Sequence, residues 1–120
     1  MTTIESFKWG EVHTIYKGRR DVWKDCIITD DGPQNWNWNL DGTKHNPGVT
    51  VAALLPLQNC STIIVSTGVH QRLQVTREAR ELLQSWGVLH YILDSNSAVA
   101  KFNKISAGGG SVGLLLHSTC

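Results

Sequence analysis

From residue 61 onward the chain alternates strand and helix signals, each closed by its own stop, and few architectures accept that order. Thr62-Ile63-Ile64-Val65, within residues 61–66, is a β-branched run that reads as a buried strand. Val75, Ala79, Leu82, Leu83 and Trp86 recur at helical spacing, with Thr76 placed to cap the helix and Gly87 to end it in the left-handed conformation. Residues 88–93 return to strand. Ser95 or Ser97 is placed to cap a second helix carrying Ala98, Val99, Phe102 and Ile105, which Gly108-Gly109-Gly110 closes. Residues 111–117 form the last strand. A β-α-β-α-β order calls for right-handed crossovers and a largely parallel sheet covered by helices, so the fold class is α/β.

The part before residue 48 reads differently. It holds four of the five tryptophans and no helical pattern. Phe7 and Trp9 alternate with Lys8, and Val12, Ile15 and Tyr16 follow, as in strands. Gly18-Arg19-Arg20-Asp21 reads as a polar turn, residues 23–29 as the next strand, and Asp30-Asp31-Gly32-Pro33 as a strong turn. In Asn35-Trp36-Asn37-Trp38-Asn39 a period of two puts both tryptophans on one face, which reads as a half-buried strand facing the core. Residues 41–48 form an irregular loop. Thr50 is placed to cap a short helix through Leu57, limited by Pro56. The tryptophan-bearing strands are expected to make a second, antiparallel layer within one domain spanning residues 1–120.

Totals exclude several function classes. At 120 residues, 41% hydrophobic and 18% charged, the chain has apolar surface enough for one core and is not a disordered segment. With 11 basic and 10 acidic residues it carries a net charge of +1, which offers no drive toward nucleic acid. Residues 1–6 lack the positive start and apolar run of a leader, and no apolar run approaches a membrane span. Cys26, Cys60 and Cys120 are odd in number and widely spaced, as free thiols in a reducing compartment are. The expected location is the cytoplasm.

In open α/β sheets ligands bind beyond the carboxyl ends of the parallel strands, where loops carry polar side chains and helix N-termini expose unpaired amides. That rule gathers Thr67, Gly68, His70 and Arg72 after the first parallel strand, Asp94 and Ser95 after the second, and His117 after the third. The loop bearing His45, Pro47 and Gly48 is expected to close over them. The constellation suits a small anion, although turn and capping geometry alone also explains Thr, Gly, Asp and Ser at such places.

No further chemistry is legible. The paired glycines of a dinucleotide loop and the Walker lysine are missing, so no cofactor is implied. No nucleophile elbow surrounds a serine. His117 and Cys120 invite a thiol–base pair, but Cys120 stands last, beside a carboxylate expected to hold its thiol up. Histidines 13, 45, 70, 90 and 117 read as hydrogen-bonded structural residues without ligand spacing, so no metal is expected.

Taken in order, Trp36-x-Trp38, Gly42-Thr43-x-His45-x-Pro47-Gly48, the β-branched strand into Thr67-Gly68, Ala98…Phe102-Asn103 and His117-Ser118-Thr119-Cys120 resemble the Mth-type domain family over nearly the whole chain. The resemblance implies a three-layer fold with a mixed central sheet, no established enzyme activity and no defined cofactor. One branch of that family is tied to preadipocyte differentiation and adipogenesis, and another to mitochondrial complex I assembly. The lack of a targeting segment points to the former. Many members carry a basic residue where this chain has Ser111, which weakens an anion site placed there. Two expectations follow. One is a non-catalytic cytoplasmic regulator acting through an unidentified protein partner. The other is a small-molecule or anion-binding α/β domain with an undefined enzymatic activity. A homo-oligomer is compatible with both.

Overall fold

The computed structural model describes all 120 residues. Five strands form a mixed sheet in the order β5-β4-β8-β6-β7. Its members are β4 (Cys26–Thr29), β5 (Gly32–Asn35), β6 (Thr62–Ser66), β7 (Leu89–Leu93) and β8 (Val112–Leu116). β6 runs parallel to both β7 and β8, while β4 pairs antiparallel with β5 and β8. β6 and β8 are buried along their whole length, as the unbroken apolar runs require.

Period-two geometry divides these strands between two cores. Ile27, Ile63, Val65 and Leu115 point to one, against α2 (Val51–Leu54) and α3 (Arg77–Trp86). Cys26, Ile28, Ile64 and Leu114 point to the other, with Ala98 and Phe102 of α4 (Ser95–Ala107). The second core is closed by Ile4 and Val12 of a separate antiparallel sheet: β1 (Thr2–Lys8), β2 (Glu11–Tyr16) and β3 (Arg19–Trp23). Helices, mixed sheet, and helix plus small sheet make the three layers expected. Thr50 and Thr76 cap their helices through Ala53 and Ala79 N–H, and Gly87 stops α3 at φ 66°.

Four local readings are corrected. Arg19-Arg20-Asp21 is strand, not turn. Lys17 and Gly18 at φ 50° and 77° make a tight hairpin, and β3 starts straight after it. Residues 23–29 are not one strand. The chain leaves the small sheet at Trp23 and enters the large one at Cys26. Trp36 and Trp38 do not share a strand: Asn37 accepts from Asn39 N–H and starts α1 (Trp38–Asp41), so side-chain capping overrides the alternation. The rings pack together nonetheless, 5.6 Å apart, and Trp36 Nε1 donates to Asp41. Finally, Asp94, rather than Ser95 or Ser97, caps α4, accepting from Ser97 N–H at 3.1 Å.

The 43–48 loop is stitched to residues 74–75. Gln74 N–H donates to His45 O at 3.0 Å, and Val49 N–H donates to Gln74 O at 2.9 Å. Gly48 permits this approach: its φ is 125°, and a Cβ there would lie 2.4 Å from the Gln74 carbonyl. Gly48→Ala is expected to lower stability by about 1–3 kcal/mol or more, from backbone strain plus the clash. Urea denaturation measures this, and an unchanged midpoint would contradict the close packing.

Candidate functional site

The outgoing loops of β6, β7 and β8 reach one edge. Ser95 N–H donates to Gly68 O at 3.0 Å, and Thr67 N–H to Leu93 O at 2.8 Å. Val69 and Arg72 N–H donate to Thr119 O and Cys120 O at 3.1 and 3.2 Å. The Ser95 hydroxyl donates to His117 O, and Ser66 Oγ accepts from His117 N–H. These loops bind one another rather than enclose a pocket. A Cβ at Gly68 would stand 2.9 Å from the Cys120 carbonyl carbon, so Gly68 is where the last segment lies down. His70 is exposed against Trp9, Arg72 is exposed, and Asp94 is occupied as a helix cap.

The open space lies to the other side of β8. A cleft of about 470 Å³ is bounded by Lys24 and Asp25 before β4, Trp36 and Trp38 after β5, His45, and the segment from His117 to Cys120. Of the expected residues it takes in His45 and His117. Thr67, Gly68, His70, Arg72, Asp94, Ser95, Pro47 and Gly48 do not line it. Thr67 borders a separate depression with Gln71 and Arg80.

A line of polar groups runs through the cleft floor. Asp25, nine-tenths buried, accepts from Ser118 N–H at 2.9 Å, and both its oxygens lie 3.1 Å from His117 Nδ1. With Nδ1 turned to a carboxylate, His117 presents Nε2 outward, 3.4 Å from Thr119 Oγ1. Cys120 Sγ lies 3.0 Å from His45 Nε2 and 3.5 Å from Thr119 Oγ1. Trp38 walls this group, its ring 5.0 Å from that of His45 and 4.7 Å from that of His117. The Trp38 indole N–H is buried and has no acceptor within the chain.

Electrostatics follow the geometry. Burial pulls the His117 imidazole down, but its hydrogen bond to Asp25 and the Asp25 charge, then Cys120, outweigh that and leave it above the ordinary value. The Thr119 hydrogen bond lowers the Cys120 thiol. Burial opposes it, and hydrogen bonds with His117 and His45 add to it, bringing the thiol down to about 7. The sequence suggested a thiol held up; its side-chain surroundings act the other way. Cys26 and Cys60 are buried thiols pushed up by desolvation. The arrangement can hold a thiolate beside an imidazole at neutral pH. The donor atoms of His45, His117 and Cys120 also lie within 4.8 Å of one another, close enough to share one ion.

Sequence reasoning missed Asp25 and Lys24, which no local pattern marks. It named Cys120 with His117 and set the pair aside. Residues 117 and 120 have the two-residue gap common among local ligand pairs, which was the available signal.

Fold and edge cleft together define an α/β domain with a mixed sheet and an antiparallel annex. The chain belongs to the family described as "Protein of unknown function (DUF498/DUF598)", whose model matches residues 4–117. It is similar in fold to "MT938", with 20% identity, a TM-score of 0.74 and coverage of 100% of both chains. An outer membrane protein from Bartonella henselae matches 99% of this chain and 96% of its own, at 18% identity and a TM-score of 0.76. A Mth938-like domain from Bordetella pertussis matches 98% of this chain and 85% of its own, at 17% identity and a TM-score of 0.61. The family resemblance read from the sequence is thereby supported at the level of the Mth938-like domain. No helix is long and apolar enough to cross a membrane.

Two measurements check the electrostatics. Alkylation of native protein by iodoacetamide is expected at Cys120 alone, with its rate rising through an inflection near pH 7. An inflection at the ordinary thiol value would contradict the assigned contacts. In Asp25→Asn the opposing charge is gone and burial acts with less opposition, so His117 should titrate at lower pH than in the wild type. Histidine NMR titration reads this, and an unmoved His117 would remove Asp25 from the account.

Proposed function

We propose that this chain is a single Mth-type domain, residues 1–120, that binds a small anionic molecule in the cleft between the β5 exit and the β8 exit. The observation that carries the reading is the convergence of Cys120, His45 and His117 on one point of that cleft, with Asp25 fixing His117 from behind. The volume of about 470 Å³ suits a small ligand. Lys24 and the imidazoles favour negative charge, Trp36 and Trp38 offer an apolar wall, and the unmet Trp38 donor adds polarity. Gly68 and Ser95 act beneath the site by holding the His117–Cys120 segment, and Thr67 ties the Gly68 loop to Leu93. His70 and Arg72 lie on the loop that binds that segment.

A thermal-shift panel of phosphates, nucleotides and carboxylates tests this. A ligand at a hundredfold excess over its Kd adds about 2.7 kcal/mol, a rise of several degrees in a domain this small. The rise should shrink in His45→Ala, whose exposed side chain leaves the core untouched. A panel that shifts nothing sinks the proposal.

A second reading is a non-catalytic cytoplasmic regulator of preadipocyte differentiation that acts through protein contacts. It is supported by the sequence resemblance to the adipogenesis-associated branch and by Leu40. Leu40 is 86% exposed beside a shallow groove of Ile27, Ala52, Ala53 and Pro56. Pulldown from differentiating preadipocytes should recover a partner with wild-type bait and lose it with Leu40→Asp. Recovery of nothing above background would end this reading.

A further inference from the structure

The converging donors at the cleft floor are more than attracting an anion alone requires. Two imidazoles and one thiol crowd a single point, whereas attracting an anion or activating a thiol takes one imidazole. We propose that Cys120 Sγ, His45 Nε2 and His117 Nε2 form a three-ligand site for a borderline-soft divalent transition-metal ion of the Zn²⁺ class, with a fourth position open to the cleft. This deepens the cleft reading and rests on it: the ion would be the group to which a small anion binds.

Distances favour the assignment. Zinc lies about 2.3 Å from sulfur and about 2.0–2.1 Å from imidazole nitrogen, so tetrahedral ligand atoms stand roughly 3.3–3.6 Å apart. Cys120 Sγ and His45 Nε2 are 3.0 Å apart, and all three donors lie within 4.8 Å of one another. Side-chain shifts of roughly an ångström bring the donors to these separations. His45 is free to make them, because its side chain is exposed while its backbone is held by Gln74 N–H. Cys120 is anchored through its carbonyl to Arg72 N–H.

The surroundings have the form that metal ligands take. Ligating histidines usually give their second ring N–H to a carboxylate, which fixes the tautomer and turns the other nitrogen to the ion. Asp25 does this for His117, and Ser118 N–H in turn holds the Asp25 carboxylate. The Trp38 ring lies against both imidazoles and shields them on one side. The other side is the cleft, which is the entry path and the open coordination position. One thiol and two imidazoles, with no carboxylate directly in the set, select Zn²⁺ or Co²⁺ over Mg²⁺ or Ca²⁺.

The chelator-stripped chain of residues 1–120 should be titrated with Co²⁺ and then Zn²⁺, followed by absorbance. The expected result is one Co²⁺ per chain with a thiolate-to-cobalt charge-transfer band, bleached by Zn²⁺. Cys120→Ser should abolish the band. Asp25→Asn should weaken binding by about 10–100-fold while retaining it. Failure of wild-type protein to bind one Co²⁺, or a charge-transfer band that survives Cys120→Ser, overturns the site. The wild-type titration decides even if a variant does not fold. The anion panel run on both the stripped and the Co²⁺-treated protein separates the two claims. Anion shifts without Co²⁺ binding overturn the metal site alone, and absence of both overturns the cleft reading as well.

Discussion

The buried carboxylate of Asp25 is the contact on which the site depends. It sits where the chain enters β4, and it accepts from His117 Nδ1 and Ser118 N–H where the chain leaves β8. β4 and β8 are antiparallel neighbours, so entry to one and exit from the other fall at the same edge. A buried carboxylate without partners would be costly, and here the partners are supplied by a single short segment. The same contact fixes the face that His117 shows to the cleft. Loss of Asp25 would therefore disturb both the edge of the sheet and the orientation of the imidazole.

From that contact the architecture supplies the rest. Parallel pairing of β6 with β7 and β8 brings the Gly68 loop beneath Thr119 and Cys120, where only a glycine leaves room. The stitched loop of residues 43–48 carries His45 over the thiol. The turn capped by Asn37 places Trp38 against both histidines. Five separate stretches thus meet around the His117–Cys120 segment. None of them is inside a long regular element, as is common where a rigid sheet presents functional loops.

The strands and helices after residue 61 were legible because each has a strong local signal: β-branched runs, the threonine cap at Thr76, and the Gly87 stop. The first half was less legible. At residues 35–39 period-two alternation and an asparagine cap compete for the same residues, and the cap prevails. The shared edge of Gly68, Ser95 and His117 followed from the parallel-sheet rule. Which side of β8 holds the cleft did not, because it depends on the antiparallel addition of β4 and β5. Asp25 was invisible for the same reason: its partner lies 92 residues away in sequence, and no spacing rule spans that distance.

The tautomer of His117 tests this account most directly. Long-range nitrogen–proton NMR correlations of the imidazoles, recorded on wild-type protein and on Cys120→Ala, report which ring nitrogen carries the proton and whether the other one feels the thiol. The account predicts a proton held on His117 Nδ1 by Asp25 and a clear change at Nε2 when the sulfur is removed. A His117 ring that exchanges freely between tautomers, with nitrogen shifts indifferent to Cys120, would contradict it.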